Sequence, residues 1–229
     1  MKTKLFFMIL IIILIASCKK HEKTEQRDFE IEIPDTTKNH QSNIPYIHKK
    51  SITQELSLNP LEIGVDSFEL RFWAKVEVLN IGHLYVIKKI KNQWTCLHYR
   101  YIEHCRYQEG MDFSEMAKAT YIDTFSVKKV RPATNWETFF EKIEHENIYE
   151  LPAQVDIPGF KSNVADGYTF YVEYATRSKY KFYWFNCPDV FEDTFDECRK
   201  MANIVKIFHD EFGLNMGMFG EDRYRCGND

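Results

Sequence analysis

The chain has 229 residues, of which 44% are hydrophobic and 15% aromatic, so it is long enough to bury a sizeable core. Its 30 basic and 34 acidic residues give a formal net charge of −4, and the basic residues form no long stripe along the sequence. We therefore exclude nucleic acid as a partner, because its binding requires clustered positive charge opposite the phosphates.

The N-terminal segment has the order of parts found in an export signal. Lys2 and Lys4 precede an apolar run over residues 5–15, and two small residues then stand directly before Cys18. The run is shorter than the roughly 20 apolar residues that a membrane-spanning helix needs. We therefore interpret residues 1–17 as a signal peptide that is removed.

Residues 15–18, which read Ile-Ala-Ser-Cys, resemble the lipobox of bacterial lipoproteins. The resemblance implies that the thiol of Cys18 receives a diacylglycerol, that the chain is cut before Cys18 and that the new amino terminus is acylated. It implies attachment to a membrane of the bacterial cell envelope through this lipid, and we expect the outer membrane rather than the inner one. Cleavage leaves 28 basic and 34 acidic residues, a net charge of −6, so the anchor must come from the acyl chains. An ordinary secretory signal with an incidental cysteine is the alternative.

The segment after the lipobox has the composition of a tether. Residues 19–50 mix both charge signs with two prolines and few large apolar side chains, which favours a flexible link from Cys18 to residue 50. Within it, residues 29–33 alternate apolar and charged side chains, and this short stretch is expected to dock on a sheet edge or on a partner. We place the folded domain at residues 51–229.

Four strands are predicted in the first half of this domain. Residues 68–78 alternate with the period of two that is typical of an antiparallel strand with one face on the core. Residues 83–90 and 94–107 follow after turn signals, and residues 120–130 form the fourth strand. A short helix or ordered loop is expected over residues 110–119.

Two amphipathic helices are predicted in the second half, each opened by the S/T-x-x-E pattern of a capping box. One box is Thr134 with Glu137 and the other is Thr194 with Glu197, and Gly213 stands where a left-handed C-cap belongs. Both helices carry one apolar stripe to bury.

A hairpin lies between the two helices, with strands over residues 168–175 and 180–185. The second strand is apolar on both sides, which favours a central strand, and an exposed Tyr/Trp platform for a ligand is the alternative. The prediction is an α+β domain in the order ββββαββα. It has a mostly antiparallel sheet of about six strands with two amphipathic helices packed on one face.

Five cysteines remain beside the lipobox cysteine, an odd number in a compartment where disulfides persist. Cys187, at a strand end, and Cys198, in the first turns of the next helix, are the expected disulfide pair, and two buried free thiols are the alternative. Cys96 and Cys105 are expected to lie about 30 Å apart along one strand, too far for a bridge. For Cys226, a disulfide cross-link and a free thiol are both open alternatives.

No catalytic, metal or cofactor site is predicted. His98 and His104 share a face of one strand but lie far apart along it, and a dyad of Cys105 or Cys187 with a distant histidine stays open. The helix dipole explains a cluster of acids before the last helix better than a calcium site does. The cluster consists of Asp189, Glu192, Asp193, Asp196 and Glu197.

The leading functional hypothesis is a membrane-anchored envelope lipoprotein that is not an enzyme. It is expected to bind or inhibit a protein or glycan partner through an open sheet face or a sheet edge. An envelope hydrolase with dispersed catalytic residues and a structural component of envelope assembly are the alternatives. A pocket with converging titratable groups would favour the hydrolase.

Overall fold

The computed structural model describes residues 29–34, 40–161, 164, 167–217 and 223–226. These residues form an α+β fold with one mixed sheet of seven strands and four α-helices. The strands are β1 (Glu30–Glu32), β2 (Phe68–Val76), β3 (Ile81–Ile90), β4 (Gln93–Cys105), β5 (Thr120–Val130), β6 (Tyr168–Thr176) and β7 (Lys179–Asn186). The helices are α1 (His40–Glu55), α2 (Phe113–Lys118), α3 (Trp136–His145) and α4 (Asp196–Phe212). The signal peptide and Cys18 lie outside the described residues.

The strands are arranged in the order β1-β7-β6-β2-β3-β4-β5. β1 runs parallel to β7, and every other neighbouring pair is antiparallel. The predicted α+β class is confirmed, and the mostly antiparallel sheet is extended by one parallel strand at its edge. Residues 120–130 form β5 as predicted.

The segment expected to be a tether contributes two elements to the fold. Residues 30–32 pair with β7, which fulfils the expectation that this stretch docks on a sheet edge. Helix α1 begins at His40 and not near Ser51, so the domain starts before the predicted boundary. The sequence hid this helix because its buried side chains include the polar His48 and Lys49.

The sheet is covered on both faces, each with its own core. On one side, called the α3/α4 face, Phe72 packs with Phe139 of α3 and Phe208 of α4. On the opposite side, called the α1 face, Ile52 of α1 packs with Trp73. The predicted packing of two helices on one face is therefore confirmed for α3 and α4. The other face, which was expected to be open, is covered by α1.

Strand β7 has buried aromatic side chains on both sides, as predicted for a covered strand. Tyr180 and Phe182 belong to the α1-face core, whereas Tyr183 and Phe185 belong to the α3/α4-face core. Strand β2 shows the predicted period of two, but its polar side lies under α1 and not in solvent. Arg71 on this side is fully buried.

The two predicted capping boxes are wrong, although the helix positions are close. Asn135 caps α3 by accepting a hydrogen bond from the Thr138 amide at 2.9 Å, because Glu211 engages the amide and hydroxyl of Thr134. Helix α4 has Phe195 at its N-cap position, without a side-chain cap bond. Gly213 adopts the predicted left-handed C-cap with φ of 68°.

The predicted disulfide between Cys187 and Cys198 is wrong. Cys187 is bonded to Cys226, with 5.4 Å between their Cα atoms, whereas Cys198 is a buried free thiol. The C-terminal segment returns to the start of β6 and brings Cys226 there, while Cys198 faces the core from α4. A Cβ on Gly167 would lie 2.4 Å from the Cys187 sulfur, so the bridge fits only beside a glycine.

Candidate functional site

A groove of about 990 Å³ opens on the α3/α4 face, between α3 and one end of the sheet. This volume lies at the upper end of the range of about 300 to 1,000 Å³ typical of ligand pockets. Six aromatic side chains line it and define what we call the aromatic groove: Phe68, Trp94, Trp136, Phe140, Tyr149 and Tyr174.

The register of four adjacent strands brings the groove residues together. Phe68 at the start of β2 lies opposite Thr176 of β6 on one side and Lys89 of β3 on the other. Lys89 in turn lies opposite Trp94 of β4. The groove therefore crosses β6, β2, β3 and β4, a width of about 15 Å at the usual strand spacing. These four strands are paired on both sides, so the groove floor contains no free strand edge.

The aromatic rings support one another through edge contacts. The Phe68 ring lies 5.6 Å from Trp94, 6.0 Å from Phe140 and 6.0 Å from Tyr149, all in T-shaped geometry. Tyr149 continues the row to Tyr174 at 5.1 Å. Such contacts fix ring orientation and add stability beyond the buried area. The floor is therefore held in place by packing before any ligand arrives.

Acidic side chains form one wall of the groove. Glu137, Glu141 and Glu144 are exposed on α3 at successive turns, so their carboxylates follow the groove as hydrogen-bond acceptors. From the sheet, Lys89 of β3 adds a cation, and its Nζ lies 5.3 Å from the centre of the Trp94 ring. The groove thus combines an apolar floor with polar groups along its rim.

The tyrosines at one end of the groove are neutral. Burial raises the pKa of Tyr149, and burial together with nearby carboxylates outweighs Lys179 and raises the pKa of Tyr174 to about 12. The Tyr174 hydroxyl donates to the Tyr149 carbonyl at 3.2 Å.

A buried ionic cluster holds α1 to the opposite face. Arg71 donates to Glu69 at 2.7 Å, to Glu173 at 3.2 Å and to the Asn59 carbonyl at 2.7 Å. Lys49 of α1 lies 2.9 Å from the other oxygen of Glu173. Removing one partner from such a cluster leaves a buried charge without a counter-ion, so this arrangement ties α1 to the sheet.

A second polar cluster lies beside the first and includes His48, the residue of α1 that precedes Lys49. His48 Nε2 lies 3.0 Å from Glu103, and Lys75 Nζ lies 2.8 Å from the same carboxylate. Burial alone would raise the pKa of Glu103, but His48 and Lys75 outweigh it and lower the pKa to about 2. A polar pocket of about 480 Å³ lies beside His48 and Lys75 and is also lined by Trp184 and Asn186. No sequence pattern pointed to this cluster, because its members come from three separate elements, α1, β2 and β4.

The structure pairs His98 with a different histidine from the one considered in the sequence. His83 Nδ1 lies 3.0 Å from His98 Nε2 across β3 and β4, whereas His104 is exposed. Burial lowers the pKa of His83 to about 3 and that of His98 to about 4. The hairpin register could have revealed this pair. Among the described residues, no group of three His, Cys, Asp or Glu side chains is arranged to hold a metal ion.

Four further candidates from the sequence are engaged in ordinary contacts. Arg225 contacts Glu192 and lies 4.0 Å from Asp189, and Asp196 lies 2.5 Å from Lys200. Cys187 is bonded in the disulfide, which excludes it as a thiol nucleophile. Three of the five acids in the cluster, Asp189, Glu192 and Asp196, therefore have cationic partners within the fold.

Across the described part of the chain, no helix combines the length and the apolar character needed to cross a membrane. Comparisons of the chain with protein-family models, curated proteins and solved structures found no match.

Proposed function

We propose that this chain is a lipoprotein of the bacterial envelope, anchored through Cys18, whose domain binds a glycan chain in the aromatic groove. The row of aromatic side chains between α3 and the sheet carries this proposal. The role is binding without a chemical reaction.

The chemistry of the groove fits a sugar chain. A sugar ring has an apolar face of C–H groups and a rim of hydroxyls, so it needs an apolar floor and polar groups at the side. The Trp94 and Trp136 rings supply half-buried floor, and the carboxylates of Glu137 and Glu141 supply acceptors for hydroxyl groups. Pockets with an apolar lining and a few placed polar groups are typical of small-ligand recognition.

An extended peptide fits the groove less well. Peptides that bind sheets usually add a strand to a free edge, where main-chain hydrogen bonds supply the affinity. The groove floor is built from β2, β3, β4 and β6, which are all paired on both sides. A peptide would therefore have to bind through side chains alone.

The test is a binding measurement on the full chain purified in detergent. An array of bacterial envelope oligosaccharides identifies a ligand, and its affinity is then measured by calorimetry for Trp136→Ala and Glu141→Gln. We expect Trp136→Ala to weaken binding at least tenfold, and Glu141→Gln to weaken it less. Trp184→Phe is the matched control, because this half-buried tryptophan belongs to the opposite face of the sheet.

Two results would overturn the proposal. One is that no oligosaccharide on the array binds to the chain. The other is that Trp136→Ala binds the sugar as tightly as the unmodified chain does, which would place the sugar elsewhere.

A further inference from the structure

Strand β5 is a long edge strand with an open outer side. Ten of its 11 residues pair with β4, and within the described ranges no strand lies on its other side. Residues 123–129 are all exposed, and they include Phe125 at 51% and Val127 at 43% exposure. A long exposed edge with apolar side chains is a template for pairing with another strand.

The first part of this edge is already protected. The β4/β5 register shifts at Asp123, and a carboxylate oxygen of Glu55 lies 3.5 Å from the Ile122 amide. Bulges and covering elements are two ways in which proteins block edge pairing. The open part therefore begins at Thr124 and continues to the end of the strand.

We propose that a second copy of this chain pairs with β5, antiparallel, about a two-fold axis that passes through Ser126. In this register Phe125 of each copy lies opposite Val127 of the other. Aromatic residues opposite β-branched residues are favourable cross-strand pairs. The two-fold axis forms each pair twice, as in any isologous interface.

The flanking residues also match in this register. Thr124 lies opposite Lys128, and Asp123 lies near Lys129 of the other copy. The two lysines would repel many partner strands, but Asp123 supplies the opposite charge for one of them. In this register one lysine of each copy, Lys129, is therefore matched by an aspartate of the other copy.

Neighbouring registers lose these pairs. A shift that places Val127 on the two-fold axis sets Phe125 opposite Lys129, so the Phe125–Val127 pair is lost, and it moves Asp123 from Lys129 to Arg131, which lies beyond the end of β5. A further shift in the same direction sets Lys128 opposite Lys128, and like charges that face each other across strands are destabilising. Of these three registers, only the one centred on Ser126 keeps both the Phe125–Val127 pair and the Asp123–Lys129 contact.

The contact is small, so the dimer is expected to be weak in dilute solution. Stable interfaces bury about 1,600 Å² in total, more than a ladder of a few residues supplies. Anchoring two copies in one membrane raises their effective concentration without any new contact. We therefore expect the dimer to form on the membrane first.

Cysteine cross-linking of the full chain in membranes tests the register directly. In Ser126→Cys the two thiols face each other at the axis, with Cα atoms about 4.5 to 5.5 Å apart, within the range that a disulfide needs. Mild oxidation is expected to convert most of the protein to a covalent dimer on a non-reducing gel. Thr124→Cys is the matched control, because its two copies would lie about 13 Å apart. The double variant Thr124→Cys/Lys128→Cys is expected to cross-link again.

A charge exchange provides a second readout. In the Ser126→Cys background, Asp123→Lys is expected to reduce the yield of dimer several-fold, and adding Lys129→Asp is expected to restore it. The unmodified chain measures any cross-linking through its own cysteines. The changed positions are all exposed, so equal thermal melting curves verify that each variant folds. A monomeric Ser126→Cys, or equal cross-linking of Thr124→Cys, would overturn the proposal.

Discussion

Mild acid is expected to destabilise the fold through the buried histidine pair. His83 and His98 have folded-state pKa values of about 3 and about 4, below the ordinary value of 6.5, because burial disfavours their charged forms. Between pH 6.5 and the folded-state pKa values, these two histidines bind protons in the unfolded chain but not in the folded chain. The stability from neutral histidines is therefore fully present above pH 6.5 and is lost as the pH falls toward 4.

The size of the effect follows from proton linkage. One histidine that charges only in the unfolded state costs about 1.4 kcal/mol for each pH unit below its unfolded pKa. Between pH 6.5 and pH 5 this amounts to about 2 kcal/mol for His83 and to less for the half-buried His98. Glu103 adds little in this window, because its own loss of stability begins below its ordinary pKa of 4.5.

Urea unfolding followed by tryptophan fluorescence at pH 7 and pH 5 measures the effect. The unmodified chain is expected to lose stability between the two pH values, and His83→Gln is expected to lose about 2 kcal/mol less. His104→Gln is the control, since His104 is exposed on β4, the same strand as His98. If His83→Gln and His104→Gln lose the same amount as the unmodified chain, the buried pair is not the source of the acid sensitivity.

Three further outcomes are expected. Cys226→Ser should lower the free energy of unfolding by up to about 4 kcal/mol in urea, because the bond from Cys187 closes a loop spanning 39 residues. Gly82→Ala should cost about 1 to 3 kcal/mol in thermal unfolding, because its Cβ would lie 2.0 Å from the buried Tyr101 ring, and an unchanged melting temperature would contradict this packing. Cys18→Ser should abolish palmitate labelling and release the protein from the membrane fraction, whereas continued labelling would refute the lipobox interpretation.

The α3/α4 side of the fold was predictable because its core is made of apolar side chains with regular spacing. Phe139 and Ile143 of α3, together with Phe208 of α4, follow the helical period, so both helices and their common face could be predicted. The strands of the sheet were predictable for the same reason, through the period of two. The aromatic groove was not, because Trp94 of β4 and Trp136 of α3 are far apart in sequence and meet only when α3 packs on the sheet.

The cysteine pairing failed for a related reason. Cys187 and Cys198 are close in sequence, and that proximity favoured them as a pair. The true partner, Cys226, comes from the C-terminal segment, whose return to β6 depends on tertiary packing. Sequence distance alone therefore carried no information about which thiol reaches Cys187.

The α1 face was hidden because polar side chains fill it. Arg71 and Glu69 alternate with apolar residues in β2, a pattern that normally indicates a solvent-facing side. In the structure they are buried, and Lys49 of α1 completes their cluster through Glu173. An alternating strand can turn its polar side either to solvent or to a matched set of buried charges. Only the presence of the helix that packs on this side distinguishes the two cases. A helix that docks partly through buried charges therefore escapes an analysis that looks only for an apolar stripe.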